Sequence, residues 1–320
     1  MKSVLITGAD GFVGRVLVPT MRNAGMRVIA VTRHPGRQAL DGVISACIED
    51  IRTLVDWDRM LTDVDVVIHL AARAHVIAES ASDPLQEFRD TNVTPTLNLF
   101  RACQRVPVKR FVFVSTIGVN GLVSHRNGFR VTDIPDPKEP YSVSKWEAEC
   151  GLMELSVRGE TKVVTVRPTL VYGPGAKGNF LRLMRLIRSG WPLPFGAISA
   201  KRSILSVTSL CELLLKCCQC READGRTFLA ADPTPIPTRD LVVELSALMG
   251  RRARLVRVDP RILVGLGRIA GFGLEMDRLT ASLEVDASAA RELLDWSDNG
   301  NSVRDMKRMA DDFLGKSHVA

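Results

Sequence analysis

The sequence predicts an α/β protein in which a Rossmann-like, doubly wound parallel sheet is followed by a smaller C-terminal substrate-binding lobe. Three observations carry this. Apolar runs of strand length alternate with helical patterns through the first half of the chain, which implies parallel strands joined by crossover helices. The first such run ends in Gly8-Ala9-Asp10-Gly11-Phe12-Val13-Gly14 and opens directly into a helical pattern. Beyond residue 170 the alternation loosens and proline-rich loops at Trp191 to Pro194 and Pro233 to Pro237 interrupt the helices. The expected division is a sheet domain over 1–170 and mainly a second lobe over 171–320, with some segments of the latter returning to the sheet.

Ser3 to Thr7 reads as the first strand and Arg15 to Ala24 as the first helix. Gly8, Gly11 and Gly14 let the turn between them tighten and let backbone approach a pyrophosphate, which would rest at the positive end of the helix beside Phe12 and Val13. The same glycines would also suit an ordinary strand-to-helix turn. The second strand, Arg27 to Val31, should end over the adenosine ribose, where a carboxylate ordinarily accepts from the 2′-hydroxyl of NAD. Thr32, Arg33 and His34 stand there instead, with Arg37 nearby, and a cation suits a 2′-phosphate. The reading is NADP(H) preferred and NAD(H) as the alternative, unless Arg33 points to solvent and another residue holds the ribose.

Val43 to Ile48 closes on Asp50 and Ile51, where the adenine edge could be read. Val64 to Leu70 runs into Ala71, Ala72 and Arg73, the small residues letting backbone lie against the cofactor. His75 and Glu79 follow in a loop that could cover substrate or simply be solvated. A long helix is expected over Pro84 to Val106, carrying Asn92, and then a strand over Arg110 to Ser115. Its carboxyl end presents Ser115 and Thr116 at the edge where open parallel sheets bind ligands. A polar, turn-rich loop with Asn120 leads to a helix from Tyr141 to about Arg158.

Tyr141 and Lys145 stand one helical turn apart and so point the same way. The ammonium should favour the phenolate, lowering a phenol pKa of about 10 towards neutrality and making a general acid/base. The plain alternative is a packed tyrosine beside a solvated lysine, in a sequence with only two tyrosines. Val163 to Val166 is the next strand. Arg167 to Gly175, including Pro168, reads as a loop, and helical runs follow over Phe180 to Arg188, Leu210 to Arg221 and Thr238 to Met249.

Composition agrees with a soluble globular chain: 46% hydrophobic residues in 320, enough to bury a large core. The most apolar segment, Ile262 to Met276, is short and contains Arg268, so it reads as an interfacial or core helix rather than a membrane span. Peripheral membrane contact stays open. No secretory pattern precedes the first strand, and a cytoplasmic location is expected. The seven cysteines lie mostly in apolar helical patterns. Cys217 and Cys220 form a C-x-x-C without a second pair, so no metal site is expected. The net charge of +7 suggests anionic ligands, and with 5% aromatics and no nucleic-acid motif a phosphorylated small molecule ranks ahead of nucleic acid.

With the glycine turn, Thr116 and the Tyr141/Lys145 pair in chain order, the sequence resembles the extended short-chain dehydrogenase/reductases, the nucleotide-sugar epimerase/dehydratase group, from Val4 to about Trp296. The resemblance implies that Gly8, Gly11 and Gly14 bind the pyrophosphate, Asp50 and Ile51 the adenine, and that Leu70, Ala71, Ala72 and Pro168 line the cofactor. It makes Thr116, Tyr141 and Lys145 a catalytic triad supported by Ser115 and Asn92. It puts Arg202, and more loosely Arg278, on the diphosphate of a UDP-sugar, with Asn179 and Phe180 at the nucleotide and Arg73, His75 and Asn120 on the substrate side.

Within the group, His69-Leu70-Ala71-Ala72-Arg73, Tyr141 to Glu149 and Asn179 to Met184 look most like bacterial NADPH-dependent reductases of UDP-4-keto-6-deoxy-N-acetylhexosamines. These serve surface polysaccharide such as lipopolysaccharide O-antigen. A UDP-sugar 4-epimerase with tightly bound NAD is the alternative, and a catalytically silent dinucleotide-binding protein a further one. Ile117 and Gly118 stand where a dehydratase would carry its extra acid/base pair. By the same resemblance a homodimer is expected through Pro84 to Val106 and the Tyr141 helix, with Leu97, Leu99, Phe100, Leu152 and Leu155 either forming the seam or facing the protein's own sheet.

Overall fold

The computed structural model of the protein describes residues 2–34, 40–53, 55–74, 83–125, 127–157, 159–269 and 278–316. Seven strands form one sheet: β1 (Ser3–Thr7), β2 (Arg27–Thr32), β3 (Val43–Cys47), β4 (Val66–His69), β5 (Arg110–Val114), β6 (Lys162–Pro168) and β10 (Thr227–Ala230). Their order is β10-β6-β5-β4-β1-β2-β3, and every neighbouring pair is parallel. The chain winds outward from β1 to β3 on one side and from β4 to β6 on the other. The crevice between the carboxyl ends of β1 and β4 is therefore the topological switch point at which such sheets bind ligands.

Successive side chains of a strand face opposite ways, and β1 divides accordingly. Val4 and Ile6 join a buried cluster with Leu17 and Met21 of α1 (Gly14–Asn23), Leu210 and Leu214 of α7 (Val207–Gln219) and Leu294 of α10 (Ser288–Leu294). Leu5 joins the opposite cluster, with Leu99 and Phe100 of α4 (Thr94–Arg105) and Ala148 and Leu152 of α5 (Pro140–Ser156). A third cluster unites α6 (Asn179–Ser189), α8 (Thr238–Leu248) and α11 (Asn301–Phe313). β10, α7 and α10 thus come back from the second half of the chain to the sheet.

Two expectations are corrected here. The helix over Pro84 to Val106 is two helices, α3 (Pro84–Asn92) and α4, which meet at Val93, because Pro95 has no N–H to continue the first ladder and starts the second helix instead. The loop over Arg167 to Gly175 is largely extended: β6 runs to Pro168, and β7 (Leu170–Tyr172) pairs in parallel with β9 (Ile204–Ser206). Of the two alternatives for the helical apolar residues, Leu99, Phe100 and Leu152 take the inward one, fully buried against the sheet, whereas Leu97 and Leu155 are half-buried beside them. Among the described residues no helix is long and apolar enough to cross a membrane.

Candidate active site

The glycine turn is built by close approach. Gly8 has φ +68°, and a Cβ on it would stand 2.8 Å from the Ala71 nitrogen, so β1's exit and the segment after β4 touch through a position that admits no side chain. A Cβ on Gly14 would meet the Gly8 carbonyl oxygen at 2.4 Å, which seats α1 directly on the turn. No side chain caps α1, and its first turn holds no carboxylate. That donor set suits an anion, so the turn fits the pyrophosphate of a dinucleotide. Phe12 packs on the third cluster and Val13 on the first, tying the turn to both halves of the chain.

A buried hydrogen-bond chain that the sequence reading missed fixes the neighbouring strand ends. The Ala71 N–H donates to Thr7 Oγ1 (3.2 Å), which lies 2.7 Å from His69 Nδ1, and His69 Nε2 lies 2.9 Å from Thr96 Oγ1. Thr96 spends its own proton on the Asn92 carbonyl (2.6 Å), so His69 must donate from Nε2 and accept at Nδ1. Burial, reinforced by the Lys145 charge, pushes the imidazole down to about 3 and keeps it neutral. Asn92 completes the brace. Its amide accepts from the Arg73 N–H (2.8 Å), donates to the Arg73 carbonyl (3.2 Å) and donates to Ser144 Oγ (3.0 Å) on α5.

Thr116 follows β5 and caps a short 3-10 turn over Ile117–Val119, its Oγ1 accepting from the Gly118 N–H (3.2 Å). Gly118 allows that turn to press against α5: a Cβ there would lie 2.2 Å from Ser142 Oγ. Thr116 and the first turn of α5, which carries Tyr141, are thereby held together. Lys145, only 1% exposed, has its Nζ 4.0 Å from the centroid of the Phe113 ring. Tyr141 packs against Phe88 at 5.9 Å. Burial pushes the Lys145 ammonium down to about 7, against the opposing pull of Glu149, and pushes the Tyr141 phenol up to about 12. The expected lowering of the phenol by Lys145 is corrected: desolvation of the ring oxygen dominates.

Beneath this pair, Arg167 is buried in a two-pronged salt bridge with Glu149 (2.6 to 3.2 Å) and donates to Asn120 Oδ1 at 2.9 Å. The Asn120 amide donates to the Arg130 carbonyl (3.1 Å), so this side chain, expected on the substrate side, is committed to the protein itself. Ser115 is buried beside Thr116, and its Oγ has no hydrogen-bond partner among the described residues.

The remaining expected residues sort by position. Thr32 is buried at the end of β2 and its hydroxyl donates to the His34 carbonyl (2.9 Å), while Arg33 is exposed. Asp50 is paired with Arg52 at 2.6 Å, which holds its carboxyl below the usual range, and Ile51 packs on the core. Leu70, Ala71, Ala72 and Pro168 lie at or just past the carboxyl ends of β4 and β6. Arg73 reaches Glu87 (3.4 Å) and lies over the Phe88 ring. Asn179 is exposed at the first turn of α6. Phe180, expected at the nucleotide, has its ring buried against Tyr172 at 5.6 Å, a core position. His75, Arg37 and Glu79 lie outside the described residues.

Arg202 sits on β8 (Lys201–Arg202), and its backbone bridges to Leu283, which draws the 278–285 segment alongside. Burial, and then the nearby Arg278 charge, lower the Arg202 guanidinium, which donates to the Ala281 carbonyl (3.4 Å). Arg278 also pairs with Glu139, the residue immediately before α5 and two positions before Tyr141.

A parallel sheet with a glycine turn at its switch point and a Thr/Tyr/Lys group at the same edge defines an NAD(P)-dependent enzyme of the extended short-chain dehydrogenase/reductase type. The chain belongs to the NAD dependent epimerase/dehydratase family, whose model matches residues 4–231. It is 36% identical over 318 residues to the UDP-glucose 4-epimerase of Vibrio cholerae, covering 98% of this chain and 96% of that protein. It is 27% identical over 257 residues to the N-acetyl-alpha-D-glucosaminyl-diphospho-ditrans,octacis-undecaprenol 4-epimerase of Escherichia coli O157:H7, covering 78% and 73%. The structure of MoeE5 in complex with UDP-glucose and NAD superimposes with a TM-score of 0.78 at 25% identity, covering 98% of this chain and 99% of that one.

Proposed function

We propose that the protein is a UDP-sugar 4-epimerase that retains NAD through its catalytic cycle. The observation that carries this is the near full-length likeness to the Vibrio cholerae UDP-glucose 4-epimerase, which favours epimerisation over the one-way reduction of a 4-keto sugar. Bound NAD would supply a site that accepts the C4 hydride and gives it back. Gly8, Gly11, Phe12, Val13 and Gly14 would hold its pyrophosphate, Asp50 and Ile51 its adenine, and Leu70, Ala71, Ala72 and Pro168 its remaining flank. Tyr141 takes the proton of the sugar's 4-hydroxyl and later returns it, Thr116 holds that oxygen within reach, and Lys145 orients the ribose and lends charge to the phenol. Burial alone holds the phenol at about 12, so Tyr141 would give up its proton only with positive charge beside it, and Lys145, one turn along the helix, would help supply that charge. Ser115 and Asn92 support the group, while Arg202 and Arg278 grip the diphosphate.

The reductase reading keeps one specific support: β2 ends in Thr32 and Arg33, with no carboxylate for a ribose hydroxyl. Cofactor release separates the two. Protein purified without added nucleotide and then denatured should release NAD, and the untreated protein should interconvert UDP-glucose and UDP-galactose, or their N-acetyl counterparts, with no cofactor supplied. Stoichiometric NADPH consumption on a UDP-4-keto sugar, without epimerisation, would instead select the reductase. A homodimer fits the same reading. With Leu99, Phe100 and Leu152 turned inward, its contact would use exposed Met153 and Val157 at the end of α5, and Met153→Glu should then halve the mass seen by light scattering.

A further inference from the structure

The positive charge of the chain is concentrated in two segments. Residues 177–191 and 250–269 contain ten Lys and Arg against one carboxylate, Asp259, leaving 33 cations against 35 carboxylates elsewhere. The fold brings these segments together: the Leu193 N–H donates to the Arg254 carbonyl (2.7 Å), the Val256 N–H to the Leu193 carbonyl (2.9 Å), and Leu193 bridges to Leu255. Leu193 turns inward to the third cluster with Leu255 packed against it, while Arg254, Val256 and Arg257 face solvent.

Large apolar side chains stand among the cations. Trp191 is 75% exposed and Val256 47%. On α9 (Pro260–Ile269) Leu263 anchors the helix in the core, whereas Ile262, 56% exposed, and Ile269, 88% exposed, lie seven residues apart and so on one outward face, with Arg261 and Arg268 beside them. A surface serving only small anions would not expose tryptophan and isoleucine. Cations interleaved with apolar side chains suit an interface with an apolar interior beneath a layer of negative headgroups.

We propose that this face docks on an anionic lipid bilayer, with Trp191 and the outer face of α9 entering the headgroup region and the surrounding arginines pairing with lipid phosphates. This goes beyond the catalytic reading and does not depend on it. The test sediments the full chain with vesicles of phosphatidylcholine alone and of phosphatidylcholine with phosphatidylglycerol, at low and high salt. Binding is expected only to the anionic vesicles and should weaken as salt screens the charges. Each surface cation contributes about a fivefold factor, so Arg257→Gln with Arg261→Gln should lower the partition constant roughly 25-fold while thermal unfolding is unchanged. Tryptophan emission should shift to the blue on anionic vesicles in the parent and not in Trp191→Phe. Failure to bind anionic vesicles at low salt, or equal binding by the double variant, would overturn the proposal. So would duplex DNA binding as tightly as the vesicles with no dependence on Trp191, since that would mark a general polyanion surface.

Discussion

At the carboxyl edge of the sheet, the groups proposed to meet a ligand are backbone amides and short hydroxyls held by strands and turns immediately next to them. In the second half of the chain the proposed ligand-binding groups are guanidinium groups from distant positions, Arg202 and Arg278, whose segments are joined by the bridge between Arg202 and Leu283. The first arrangement is closely packed: a Cβ on Gly8 would stand 2.8 Å from the Ala71 nitrogen, and the buried His69 chain ties the adjoining strand ends together. The second depends on long side chains whose charge, rather than exact position, does the binding. Geometry at the edge should therefore control turnover, and charge in the lobe should control affinity.

The sharpest way to break this contrast is at Tyr141. Tyr141→Phe keeps the ring against Phe88 and removes only the proton carrier, so kcat should fall by roughly 10²- to 10⁴-fold with unfolding unchanged. Preserved turnover would remove Tyr141 from the chemistry. Next in size is the support below the site. Arg167→Ala leaves Glu149 buried without its partner and should cost about 3–5 kcal/mol in urea unfolding, a loss that Glu149→Gln in the same chain should partly restore. In the lobe, Arg202→Ala should raise KM roughly ten- to a hundredfold with little change in kcat, because a charge-assisted contact to a diphosphate is present before and during reaction. A large fall in kcat instead would erase the distinction between the two regions.

The smallest effect concerns the His69 brace. Its folded pKa of about 3 lies below the ordinary 6.5, so between those values the unfolded chain binds a proton that the folded chain does not. Stability must then fall as pH drops below 6.5, by about 2 kcal/mol at pH 5 from this residue alone. Unfolding of the parent and of His69→Gln, compared at pH 7 and pH 5, should give a shallower pH slope in the variant; identical slopes would mean that His69 is not held neutral.

The same contrast explains what was legible in the sequence. β1, the glycine turn and the spacing of Tyr141 and Lys145 rest on neighbours within a few residues, and their local patterns identified them. Pro95 announced a helix boundary that a continuous apolar pattern concealed. Arg167 and Asn120 looked like loop residues because nothing local indicates that Glu149, an α5 residue, closes over the guanidinium. The family resemblance put Phe180 at the nucleotide, and no local pattern shows that its partner, Tyr172, arrives from a strand pair formed with distant β9. The direction of the Tyr141 shift was misjudged for a similar reason: charge proximity can be counted along a helix, whereas burial of the phenol is a property of the assembled site.

The central proposal is that the C4 hydride of the sugar would pass to NAD held at this edge of the sheet and return to the same carbon. Its most direct measurement is turnover of a UDP-hexose carrying deuterium at C4, in ordinary water and without added cofactor, followed by NMR of the product. The account predicts an epimerised sugar with the deuterium still at C4. An epimer that has lost the label, or a product formed only while added NADPH is consumed, would contradict it.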